Sequence, residues 1–179
     1  REEAGAAPDQ LVYATEYLHP RGEEICGMMP ASLGAFVEAR PRLFRALDRI
    51  VNRGRRVPVG RIFGFLQLYG VAALKPTRRS SLRHKRETEH LEAWLARAAE
   101  ILPKNYDLGV EILRCRRLVK GYSDTHARGL SKFDRVMAKA PNLVSREDGA
   151  QWMGRLIAAA LMDESGEALG GVAKTIDTL

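Results

Sequence analysis

Apolar residues recur along this chain at helical spacing almost throughout, and almost nowhere in the alternation of a half-buried strand. Pro41 suits a first helical position ahead of Leu43, Phe44, Leu47, Ile50 and Val51, and Asn52 and Gly54 close that pattern. A long helix is predicted from about Ser81 to Leu102, with Leu91, Trp94, Leu95, Ala98 and Leu102 on one stripe and Pro103 as its stop. Leu108, Ile112, Cys115 and Val119 repeat on a third helix that Gly121 closes. Leu130, Phe133 and Met137 form the next stripe, bounded by Pro141. Ser145 and Asp148 read as a capping box before Trp152, Met153, Leu156, Ile157, Ala160 and Leu161. Leu169, Val172, Ile176 and Leu179 give a short amphipathic end.

The amino-terminal third is choppier: Pro8, Pro20, Pro30 and Pro41 cut it into short pieces, with Pro30 starting a helix that carries Leu33, Phe36 and Val37. The expectation is an all-α fold, a single multi-helix bundle of about seven to nine helices with an irregular amino-terminal arm. No repeat and no low-complexity linker divides it, so residues 1–179 read as one helical domain. Because Arg1 rather than Met opens the chain, it reads as a fragment of a longer subunit.

Composition narrows the class. With 45% hydrophobic and 28% charged residues in 179, the chain is an ordinary globular sequence that needs no staple to fold. Cys26 and Cys115 stand far apart with no C-x-x-C, which argues against a disulfide framework, a cysteine zinc site or a self-contained iron–sulfur site. The formal charge is +7, and it is concentrated: Arg45 to Arg86 holds twelve bases against one acid, Asp48, while the remainder holds 17 bases and 21 acids. Arg53, Arg55, Arg56, Arg78 and Arg79 are the candidate docking residues of this belt. It would answer phosphates, nucleic acid, an acidic protein or a lipid headgroup, or it is simply a solvated basic face. Aromatic interleaving is poor, which disfavours nucleic acid. Inside the belt, Ile62–Leu74 reads IFGFLQLYGVAAL, too short for the ~20 residues that span a bilayer. It is expected to be a buried hairpin helix, with Gly60 and Gly64 admitting a neighbouring helix, the alternative being an interfacial membrane segment.

Arg114–Asp134, RCRRLVKGYSDTHARGLSKFD, is the densest tract of unusual residues. Ser123 or Asp124 can cap the helix that follows Gly121, Asp124 and Arg128 stand four apart, and His126 shares the apolar face of Leu130 and Phe133. The functional reading has this helix start receive an anion or a neighbouring domain, through Arg117, Lys120, Tyr122, Asp124, His126 and Arg128. The bland one has a well-capped helix with a core histidine. Two Glu-x-x-His pairs, Glu16–His19 and Glu87–His90, have the spacing of di-iron bundles, but Pro20 follows His19, and only Glu38 and Glu111 are loose candidates for the further carboxylates. No metal site is expected. His84 and Thr88 read as a polar layer and Cys115 as a small buried hydrophobe. No phosphate loop, GxSxG or HExxH occurs, and no catalytic residue is identified.

At RRLVKGYSDTHARGLSKFDRVM the sequence resembles the carboxy-terminal helical region of the indolepyruvate oxidoreductase subunit beta family. EYLHPRGEEICGMMPASLGAF, Glu16 to Phe36, is similar to the tract that opens that region. The resemblance runs from about Tyr13 to Met137. It implies a part in a 2-oxoacid:ferredoxin oxidoreductase, which decarboxylates an arylpyruvate, transfers the acyl group to coenzyme A and reduces ferredoxin. Thiamine diphosphate and iron–sulfur clusters carry that chemistry. This chain has no GDG-type thiamine diphosphate motif and no cysteine cluster motif, so the resemblance places those cofactors in other domains or subunits. What it implies here is an accessory domain that binds no cofactor itself. Its partners would be the gamma-type domain of the same chain, the catalytic subunit and ferredoxin. The setting would be cytoplasmic, without a membrane. The alternative is a basic helical module for nucleic acid or another polyanion.

Overall fold

A computed structural model of the chain describes residues 5–7, 9–120, 123–162 and 165–178, with side chains for all of these except 123–126. Among the described residues the fold is mainly helical: ten α-helices, two 3₁₀ segments and one two-stranded ribbon. The chain divides into two compact units, Arg1–Glu89 and His90–Leu179. No linker in the sequence marks that division because it falls inside a continuous helix.

In the first unit, β1 (Thr15–Leu18) pairs antiparallel with β2 (Arg55–Pro58), Thr15 opposite Pro58 and Leu18 opposite Arg55. Four residues are too few for alternation to register in the sequence, and the ribbon is a departure from the purely helical pattern. Between the strands lie α1 (Gly22–Met28), α2 (Ala31–Glu38) and α3 (Pro41–Val51), the last with Pro41 in its first turn. Helix α4 (Ile62–Ala73) follows β2, then a 3₁₀ segment, Lys75–Ser80. Ser81 caps the start of α5 (Leu82–Ile101): its Oγ accepts the His84 N–H at 3.2 Å. His84 and Thr88 are half-buried on that helix.

Among the described residues this unit buries three hydrophobic side chains, Cys26, Val57 and Leu82. The expectation of a buried hairpin helix fails here: Ile62 is 78% exposed, Phe63 84%, and Phe65, Leu66, Tyr69 and Val71 are all exposed. Only Gly64 of α4 is buried. A Cβ on Gly64 would collide with the Pro58 carbonyl oxygen, so this glycine admits the β2 backbone, not a second helix, and Gly60 faces open space.

The second unit holds the core. From α5 come Ala98 and Ile101; Leu91 and Leu95, expected on the same stripe, are exposed. Half-buried Trp94 donates its indole N–H to the Ile112 carbonyl at 2.9 Å. Helix α6 (Tyr106–Arg114), capped by Asn105, supplies Leu108 and Ile112, and Cys115 opens the 3₁₀ turn behind it. Helix α7 (Ser123–Met137) adds Phe133 and Val136, and the single turn α8 (Ala140–Leu143) adds Leu143. Helix α9 (Gly149–Met162) lays Met153, Leu156, Ile157 and Ala160 across them, and α10 (Glu167–Asp177) closes with Leu169 and Ile176. The capping box does not form. Helix α9 starts at Gly149, and the Asp148 carboxylate instead accepts from Arg146 at 2.8 and 3.0 Å and from the Trp152 indole at 2.9 Å.

Candidate functional site

The basic belt of the sequence wraps around α4 in chain order. Arg53, Arg55 and Arg56 precede it, Arg61 sits at its amino-terminal boundary, and Lys75, Arg78 and Arg79 follow its last turn. All seven are exposed, and none has a carboxylate within ion-pair distance among the described residues. Three other belt residues are neutralised: Arg83 by Glu87, Lys85 by Glu89, and Arg86 by Glu38. The belt's one acid does not compensate the rest. Asp48 Oδ1 accepts the Gly22 N–H at 2.8 Å and its Oδ2 accepts from Asn52 Nδ2 at 3.3 Å. Arg56 also lies over the Tyr17 ring, 5.5 Å from its centroid.

Sequence reasoning selected the bases of this surface and missed its apolar part. Of 23 exposed large hydrophobic residues among those described, 17 belong to the first unit, from Leu11 to Leu74. The available signal was the uniform apolarity of α4, which offers only Gln67 and Tyr69 as polar side chains and therefore no solvent face.

The tract around residue 120 is partly assembled. Lys120 and Arg128 line a cavity of about 160 Å³ together with Leu118, Gly129, Lys132, Ala160 and Leu161. Gly129 admits the close approach of the Leu118 backbone: a Cβ there would stand 2.5 Å from the Leu118 carbonyl oxygen. Lys132 Nζ donates to the Ala160 carbonyl at 3.0 Å. Arg117 is exposed and does not line this cavity. Tyr122 and the side chains of Asp124 and His126 lie outside the described residues.

The Glu-x-x-His pairs are taken apart by other partners. His19 bonds Asn52 Oδ1 at 2.7 Å, and Glu16 is on exposed β1. Glu87 is held by Arg83, whereas His90 Nδ1 lies 3.0 Å from Arg116 Nη1. Guanidinium only donates, so Nδ1 accepts and the ring proton sits on Nε2, 3.8 Å from Asp134 Oδ1 and without a hydrogen bond. No group of three or more His, Cys, Asp or Glu gathers among the described residues. Burial, then the charge of Glu111, pushes the Cys115 thiol up to about 12. Burial, then Glu38, also raises Cys26, so both thiols are held as neutral, poorly nucleophilic groups. No described helix is long and apolar enough to cross a membrane.

The chain is mainly helical, with a bare apolar helix between two basic segments. It belongs to the family of unknown function DUF6537, which it matches over residues 1–139, the whole first unit and the second as far as α8. No curated protein and no solved structure matches it.

Proposed function

We propose that this chain is an accessory domain for assembly, docking or gating in a cytoplasmic indolepyruvate or arylpyruvate:ferredoxin oxidoreductase subunit, with no catalytic centre of its own. The observation that carries the docking role is the surface of the first unit, which among its described residues leaves 17 large hydrophobic ones exposed and buries three hydrophobic ones. A monomeric protein leaves single apolar residues in water, but a concentration of this kind marks an interaction surface. Covering Ile62, Phe63, Phe65 and Leu66 at about 1.5–3 kcal/mol each is comparable to the roughly 4–15 kcal/mol that association costs. Helix α4 alone therefore makes a marginal contact, and the flanking residues are needed for a stable one. The oxidoreductase identity rests on the resemblance of Glu16–Phe36 and Arg116–Met137. Thiamine diphosphate, the iron–sulfur clusters and coenzyme A are then held by other domains, with the gamma-type domain and the catalytic subunit as its neighbours.

The test is the complete enzyme, purified anaerobically with and without residues 1–179. Cofactor content should survive the deletion while subunit assembly, or indolepyruvate- and coenzyme A-dependent viologen reduction, falls. Unchanged assembly, viologen reduction and ferredoxin reduction would exclude the accessory role.

The seven unpaired bases around α4 favour a second reading, an anion-binding face toward ferredoxin, coenzyme A phosphates or a polyanion such as nucleic acid. Neutralising Arg53, Arg55, Arg56, Arg78 and Arg79 together should then flatten the salt dependence of ferredoxin reduction or of binding to a single-stranded oligonucleotide.

A further inference from the structure

We infer that α4 is the ligand of a groove: it seats in an apolar trough on a protein partner whose two ends carry carboxylates. For the partner's identity, though not for the mode of binding, this rests on the accessory reading above. Twelve residues make a helix about 18 Å long. At about 100° per residue, Phe65, Tyr69, Ile62, Leu66 and Phe63 succeed one another around roughly 160° of it. That arc is wider than the stripe with which a helix packs on a flat face, and it calls for a concave receptor. Arg61 stands at one end, and Lys75, Arg78 and Arg79 at the other, with no carboxylate among them to satisfy. The receptor is therefore apolar along its length and acidic at both rims.

The other occupants fit less well. In a second copy, α4 against α4 sets Arg61 on Arg61 when parallel and Arg61 on Lys75 when antiparallel, like charges either way. A membrane surface takes a helix that keeps a polar face toward water, and α4 has none. Moreover, the β1–β2 ribbon on which Gly64 seats α4 is paired on one side of each strand only. Its outer edges hold backbone donors and acceptors that a partner strand satisfies and lipid tails do not.

The experiment replaces Phe63 with the photo-crosslinker p-benzoylphenylalanine in the full-length polypeptide in its native cells, and the adduct is mapped by mass spectrometry. Phe63 is 84% exposed, so the fold tolerates the change, which circular dichroism checks. The expected result is one adduct site on one protein, an apolar segment edged by Asp or Glu. Arg61→Glu with Lys75→Glu should then weaken that complex roughly tenfold or more, and acid-to-Lys changes at the mapped rim should restore it. An adduct on the catalytic subunit or gamma-type domain supports both the groove and the oxidoreductase reading. An adduct at one such site on any other protein supports the groove and removes the oxidoreductase reading. No adduct, scattered adducts, adducts on a second copy, insensitivity to charge reversal, or α4-dependent sedimentation of the purified chain with phosphatidylcholine–phosphatidylglycerol vesicles would overturn the inference.

Discussion

Asp48 and Asp148 show how hydrogen bonding decides which charges a protein keeps for others. Asp48 is drawn inward to the Gly22 N–H and Asn52, which leaves the arginines around it uncompensated. Asp148 is drawn to Arg146, whose hydrogen bonds hold its carboxyl below the ordinary 3.8, with the Trp152 indole adding to the effect. A lowered native pKa stabilises the fold above the ordinary value, and that contribution is lost as pH falls through the lowered one. Asp148→Asn should therefore melt below the parent at neutral pH, with the gap closing on acidification past 3.8, as followed by Trp152 fluorescence. Neither role was legible from residue spacing. Ser145 and Asp148 have the capping-box separation, but the guanidinium two residues from Asp148 competes for the carboxylate more effectively than a backbone N–H does.

Helices α4 and α9 have similar lengths, and α4 is the more apolar of the two, yet it is α9 that is buried. Leu156 of α9 is fully enclosed, so Leu156→Ala should cost about 2–5 kcal/mol in denaturant unfolding. Phe63→Ser on α4 should change stability by no more than about 0.5 kcal/mol, because water already surrounds that ring. Helix α9 could be placed from periodicity and α4 from its apolar run, while prolines placed α3 behind Pro41 and the stop of α5 before Pro103. Periodicity reports which side chains water rejects and says nothing of what covers them. That is why α4 was legible as a helix while its exposure was not. The cavity at residue 120 follows the same logic: Lys120 and Arg128 could be chosen by charge, but Gly129 and Lys132 enter only through how closely α7 approaches the Leu118 carbonyl.

Across the molecule, hydrophobic burial is uneven. Among the described residues the contiguous core, sixteen residues from Ala98 to Ile176, lies wholly in His90–Leu179, and Arg1–Glu89 has three buried hydrophobic residues for a comparable length. Amide hydrogen exchange of the isolated chain should therefore protect Leu108, Ile112 and Leu156 orders of magnitude more than the amides of β1, α3 and α4. Equal protection in both units would show that the first is stabilised by something other than apolar burial. The bare helix α4 has a further consequence for a living cell. An apolar segment left in water is what chaperones and proteases take hold of. If α4 docks on a partner as proposed, copies of this chain made without it would be recognised by that helix and removed, so the amount retained would follow the amount of partner rather than the rate of synthesis.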